Sequence, residues 1–301
     1  MRALIVGCGY VGLPLGIELV RRGHEVFGLR RNASLGELER HGIKPLTLDI
    51  TDREAVLKIK EPFDWVVNTV SSTKGGVEDY RAVYLEATRH LIDLFSREPV
   101  RRYVSTSSTS VYAQTDGSWV TEESPTEPQS ETSQVLVKTE KRLLAAALAT
   151  NFPAIILRVA GIYGPERGHL FQQYLRGEAR ISGDGSRLLN MIHRDDVVTA
   201  IIAALELGEA GRIYNVADDE PVTQREFFAW LSDQLAMPLP PPSAQQEMPR
   251  KRGVTNKRVS NRKLRSELKC ELKYPTFRQG YSAEITRLQA AGQLLAGASG
   301  S

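Results

Sequence analysis

The chain has 301 residues, a formal net charge of +3, 41% hydrophobic residues and 25% charged residues. These values fit a folded protein with one large or two unequal domains and exclude a disordered, highly charged polymer. The near-neutral balance argues against nucleic acid as a partner of the whole surface, and no uncharged apolar run reaches the roughly 18 residues of a membrane span. Two cysteines, Cys8 and Cys270, suit a reduced, cytoplasmic compartment, and five scattered histidines give no metal-ligand spacing.

In chain order, a predicted strand at Ala3–Val6 runs into Gly7-Cys8-Gly9-Tyr10-Val11-Gly12, followed by a predicted helix at Leu13–Arg22. In this Gly-x-Gly-x-x-Gly spacing Gly7 permits a tight turn, Gly9 lets a pyrophosphate approach the backbone, and Gly12 lets helix pack on strand. Amides at the helix start, around Tyr10 and Val11, are suited to bind the phosphates. A dinucleotide with a free ribose 2′-hydroxyl ordinarily meets Asp or Glu about 20 residues further on. The second strand, Glu25–Leu29, leads instead into Arg30 and Arg31, which donate hydrogen bonds and accept none. Either can hold a 2′-phosphate, so NADP is predicted ahead of NAD.

Strands at Pro45–Leu48, Trp65–Thr69, Tyr103–Thr106 and Ala154–Leu157 then alternate with helices at Leu35–Arg40, Arg53–Ile59, Val77–Ser96 and Ser133–Ala149. Ser34 with Glu37, and Thr51 with Glu54, have capping-box spacing, and Gly42 suits a helix end. The alternation predicts an α/β protein with a doubly wound parallel sheet, whose ligand lies beyond the carboxyl ends of the strands. Asp49 and Ile50, Thr69 to Ser72, Ser105 to Ser108, and Ala160 to Tyr163 fall at those ends.

Later elements are a helix at Asp195–Leu207 after His193, a strand at Arg212–Val216, and a helix from Gln224 capped by Thr223 with Glu226. The run Pro238 to Pro242 reads as an extended loop. From Arg250 to Lys273 there are ten Lys or Arg against two Glu, a segment that either holds an anionic substrate or is a solvated face. The expected division is a dinucleotide-binding domain over residues 1–160, a smaller interleaved substrate-binding region over 161–290, and a frayed tail over 291–301.

Taken together these landmarks resemble the extended short-chain dehydrogenase/reductases, the NAD(P)-dependent epimerase/dehydratase group, over nearly the whole chain. The resemblance is carried by Arg2 to Arg30, Leu48-Asp49-Ile50, Val104 to Tyr112, Leu157 to Pro165, Asn190 to Val197, Ile213 to Val216 and Glu220 to Thr223. It implies a Rossmann-like sheet, Asp49 and Ile50 at the adenine, Thr69, Val70, Ser71 and Gly161 along the cofactor, and Ser108 polarising a substrate oxygen. The group's catalytic pair is Tyr-x-x-x-Lys on one helix. Counting from Ser108 places that pair at Gln134 and Lys138, so Lys138 would hold the nicotinamide ribose while an amide stands where the phenol belongs. The chain is in this respect similar to an atypical branch lacking the usual tyrosine, and Tyr112 is a candidate substitute acid.

The implied function is hydride transfer by an oxidoreductase or epimerase-type enzyme. Its substrate would be a polar, anionic carbonyl or hydroxyl compound such as a nucleotide sugar. The implied assembly is a homodimer through helices Val77–Ser96 and Ser133–Ala149. A catalytically silent NADP-binding sensor or scaffold is the alternative.

Overall fold

The computed structural model describes residues 1–31, 35–73, 75–243 and 255–294. Its first half alternates strand and helix: β1 Arg2–Val6, α1 Gly12–Arg21, β2 Glu25–Arg30, α2 Leu35–Arg40, β3 Ile43–Thr47, α3 Arg53–Leu57 and β4 Trp65–Asn68. Then come α4 Val77–Tyr80, a π-helical segment Arg81–Glu86, α5 Ala87–Phe95, β5 Arg102–Ser108, β6 Trp119–Val120, α6 Glu131–Thr150 and β7 Ala154–Val159. The remainder comprises β8 Gly161–Tyr163, α7 His169–Leu175, β9 Leu188–Leu189, β10 Met191–His193, α8 Arg194–Leu207, β11 Ile213–Val216, β12 Val222–Thr223, α9 Gln224–Leu235, β13 Arg258–Val259, α10 Arg262–Glu267 and α11 Phe277–Ala290.

Seven strands form one parallel sheet in the order β11-β7-β5-β4-β1-β2-β3. The apolar run of β1 is explained by burial on both sides. Ala3 and Ile5 pack with Leu15 and Leu19 on one face, while Leu4 and Val6 pack with Phe27 and Leu91 on the other. Strand order reverses at β1, whose neighbours are β2 and β4. A crevice opens at such a reversal, beyond the strand carboxyl ends.

A third apolar cluster, with Tyr163, Phe171, Phe227, Phe228, Phe277 and Tyr281, joins α7, α9 and α11 into a smaller region. Tyr163 and Tyr281 stack with ring centroids 4.3 Å apart. The chain crosses between the two regions more than once: β11 returns to the main sheet beside β7, and β13 pairs with β6.

Local chemistry sets several element ends. Gly42 adopts φ +72° after α2, and Thr223 with Glu226 forms the expected capping box. At α3 the cap is Asp52, whose carboxylate accepts from Ala55 N at 3.1 Å, and not the predicted Thr51. Asp49 accepts from both the amide and the hydroxyl of Thr51, which turns that residue out of the capping position. Helices α7 and α11 do not follow from the sequence patterns above; both contribute to the third, aromatic-rich cluster. Ser34 and residues 295–301 of the expected tail lie outside the described residues.

Candidate active site

A cavity of about 950 Å³ lies across the carboxyl ends of β1, β2, β4, β5 and β7 and reaches to α7. The glycine turn forms its floor. Gly7 has φ +85°, and a Cβ there would stand 2.8 Å from the Val70 backbone. A Cβ on Gly12 would meet Gly7 O at 2.7 Å, so Gly12 is the helix-on-strand contact and does not itself line the cavity. Gly9 is different. It lines the cavity, and a Cβ there would find no atom nearer than 3.9 Å. Its missing side chain is therefore not required by packing and leaves room for a ligand. Tyr10 and Val11 also line the cavity, and among the described residues their amides donate to no carbonyl. Such a turn, opening onto a helix start, fits a diphosphate.

At one end of the cavity stand Arg30, Arg31, Asp49 and Ile50. Arg30 is already engaged: Nε donates to Cys8 O, and Nη1 meets Glu37 Oε2 at 2.5 Å. Arg31 is exposed and donates to Thr73 Oγ1 at 3.2 Å. Cys8 is buried, which pushes its thiol up to about 11 and gives it a packing role.

Thr69, Val70 and Ser71 line the middle, with Thr69 Oγ1 donating to Gly7 O at 3.0 Å. The other end is built by Thr106, Ser107 and Ser108 from β5, Val159 to Ile162, Leu136 of α6, and Val83 and Tyr84 of the π-helical segment. Ser108 is on the wall as expected, and its Oγ accepts from Ser110 N at 3.2 Å.

The expected helix pair is not brought to the cavity. Gln134 and Lys138 are exposed on the outer face of α6, and Gln134 Nε2 donates to Pro128 O. Leu136 is the α6 residue on the wall. Two residues turn a helix by about 200°, so Lys138 must point away when Leu136 points in. Steps of four along the inward line give Thr132, Leu136 and Glu140, all buried, and this line carries neither tyrosine nor lysine.

Glu140 instead belongs to a buried network. Ser107 Oγ donates to its Oε1 at 2.5 Å, and Arg158 holds it through Nε and Nη2, the latter at 2.8 Å. Both Glu140 and Arg158 are buried, which such a pair tolerates only with its hydrogen bonds satisfied. Arg158 Nη1 donates to the Tyr112 hydroxyl, which in turn donates to Asn215 Oδ1 at 2.7 Å. Tyr112 is thus interior to this network and off the cavity wall; burial pushes its phenol up to about 12. His193 is also structural. Its Nδ1 accepts from Asp195 N at the start of α8, and burial lowers its pKa to about 4.

The described residues of the basic segment do not line the cavity either. Among its described residues Lys263 pairs with Glu123, Arg265 with Asp219 and Lys273 with Asp195. Residues 250–254 lie outside the described residues. The cavity's cations beyond β7 come from Arg167 and Arg176, beside Glu166, His169 and Gln172. No motif pointed to these. The inward position of Leu136, by contrast, could have been read from its seven-residue spacing to Leu143, which is also buried.

A doubly wound sheet with a glycine turn under a crevice defines a dinucleotide-binding α/β protein. The chain belongs to the NAD dependent epimerase/dehydratase family, whose model matches residues 3–217. It is 29% identical over 288 residues to Protein YeeZ of Escherichia coli (strain K12), covering 91% of this chain and 96% of that one. It is 27% identical over 311 residues to a 3-diazoavenalumate denitrifying reductase of Streptomyces sp, covering 94% of this chain and 100% of that one. A conserved protein of unknown function from Silicibacter pomeroyi DSS has a similar structure, with TM-score 0.76, 28% identity, and coverage of 97% of this chain and 99% of that one. The dTDP-glucose 4,6-dehydratase of Bacillus anthracis str. Ames, solved with NAD, shares the fold at TM-score 0.82 and 20% identity, covering 96% of this chain and 97% of that one. Among the described residues no helix is long and apolar enough to cross a membrane.

Proposed function

We propose that this protein binds NADP in the cavity and transfers hydride to or from a polar, anionic carbonyl or hydroxyl compound, of which a nucleotide sugar is one candidate. The observation that carries the reading is the arrangement along one crevice. A ligand-accepting glycine turn lies between two guanidinium groups on one side and hydroxyl-bearing residues of β5 on the other. The bound nicotinamide would supply the two-electron chemistry. The amides of Tyr10 and Val11 would hold its diphosphate, and Asp49 and Ile50 would shape the adenine end.

Arg31 is assigned the 2′-phosphate. Arg30 would share it only by loosening its contact with Glu37, so Arg31 should set most of the preference. Arg167 and Arg176 favour a negatively charged substrate at the far end. The relatives named as reductases, dehydratases and epimerases are consistent with turnover in place of a silent sensor.

Fluorescence titration with NADPH and NADH tests the cofactor assignment. Arg31→Ala should raise the NADPH dissociation constant about tenfold, which corresponds to about 1.4 kcal/mol, and leave NADH within twofold. Equal losses for both cofactors would remove the 2′-phosphate role.

A further inference from the structure

The inward line of α6 offers no phenol, yet carbonyl reduction needs a proton for the new alkoxide. Among the described tyrosines Tyr10 and Tyr84 line the cavity, and Tyr112 is the one the sequence offers as a substitute acid. Tyr112 is committed to Arg158 and Asn215 inside the protein. Tyr10 lines the cavity at the glycine turn, but its hydroxyl donates to Pro165 O at 3.0 Å. Its ring also lies under the guanidinium groups of Arg167 and Arg194. Tyr84 is the third.

Tyr84 lies in the π-helical segment Arg81–Glu86 between α4 and α5. A π-helical turn inserts a residue into the helix and re-aims the side chains around it, and such turns occur often at functional sites. Here Val83 and Tyr84 both reach the cavity wall, together with Thr106, Ser107, Ser108 and Leu136. The Tyr84 oxygen accepts from Ser72 N at 3.3 Å, in the loop after β4. The ring stays buried against Tyr80, with centroids 4.9 Å apart.

Sheet order fixes which end of a dinucleotide this is. The arginines and Asp49 lie beyond β2 and β3, on one side of the glycine turn. Tyr84 lies with β4 and β5, on the other side. A dinucleotide spanning the crevice with its adenosine at the arginines places its nicotinamide beside Tyr84.

We infer that Tyr84, delivered by the π-helical turn, is the proton donor of this enzyme in place of a tyrosine on α6. The inference rests on the hydride-transfer reading above. In the reducing direction a bound reduced nicotinamide would supply the hydride for the carbonyl carbon, and the residue's part is the proton. The Tyr84 O–H bond breaks, a new O–H bond forms on the carbonyl oxygen, and the phenolate takes a proton back from water. The Ser72 amide donates to the phenol oxygen and so favours the charged form that the transfer leaves behind.

The test uses the full-length protein, wild type and Tyr84→Phe, which keeps the ring and its packing. With 3-fluorotyrosine incorporated, the ¹⁹F resonance missing from Tyr84→Phe identifies Tyr84 in the wild type. Saturating NADPH should shift it. Turnover of NADPH is then followed with 9,10-phenanthrenequinone and with sugar nucleotides bearing a keto group. Tyr84→Phe should lower kcat by about 10²–10⁴-fold, the usual contribution of a positioned acid, with the NADPH dissociation constant within twofold of wild type. A resonance unmoved by NADPH overturns the assignment, as does a kcat within twofold of wild type. If the wild type binds NADPH but turns over no carbonyl probe, the hydride-transfer reading falls and the donor role with it.

Discussion

The floor of the cavity and its α6 wall were built under different constraints. At the glycine turn the backbone itself would be the functional group, and three glycines at fixed spacing specify its shape. At α6 the functional group is whichever side chain the helix happens to turn inward, and that is set by packing. Spacing alone thus places Gly7 and Gly9 on the cavity, whereas the same spacing argument applied to α6 selects Gln134 and Lys138, two residues away from the line that faces the cavity. The lesson is that spacing locates a backbone site directly but locates a helical side chain only once the buried face is known.

The sharpest way to break this contrast is at the inward line of α6. Arg158→Met should destabilise the protein by about 3–5 kcal/mol, because it leaves Glu140 buried and uncompensated. Adding Glu140→Met should return much of that loss, since the pair is then replaced by apolar groups. Denaturant unfolding measures both, and a single variant as stable as wild type would show that the network is not what holds α6 against β7.

The glycine turn should separate into structural and ligand-facing positions. Gly7→Ala places a Cβ against the Val70 backbone at a positive φ and should cost about 1–3 kcal/mol in stability. It should lose cofactor binding as well. Gly9→Ala has space in the free protein and should leave the melting temperature nearly unchanged, while weakening NADPH by about tenfold or more, about 1.4 kcal/mol. Calorimetry with both variants checks the separation; equal stability losses would merge the two roles.

The smallest effect is expected at the positions that sequence spacing alone would choose. Lys138→Ala and Gln134→Ala alter exposed side chains away from the cavity. Each should change NADPH affinity and kcat by less than about twofold, within the usual span of surface substitutions. A tenfold loss on Lys138→Ala would return the nicotinamide ribose to that residue.

Much of the fold was readable in the sequence because it depends on patterns local to the chain. The strands of the first half are apolar runs between helix caps, and their carboxyl ends gave the cavity positions of Arg30, Asp49, Thr69, Ser108 and Gly161. The cap at Asp52 and the inward turn of Leu136 were missed because each depends on a neighbour: Thr51 is drawn off by Asp49, and the rotation of α6 is fixed by what Leu136 and Leu143 bury. The basic segment from Arg250 to Lys273 looked available for an anionic ligand. Several of its charges are instead matched by carboxylates contributed from remote parts of the chain.

The sequence by itself determined the alternation of strands and helices, the glycine turn and the family, since these follow from residue type and near-neighbour spacing. Only the tertiary structure decided that Glu140 answers Arg158, that Tyr112 is enclosed, and that a π-helical turn carries Tyr84 to the cavity. Those outcomes depend on helix rotation and on contacts between residues far apart in the chain. The free energy of burial selects among such arrangements, and no local pattern encodes the choice.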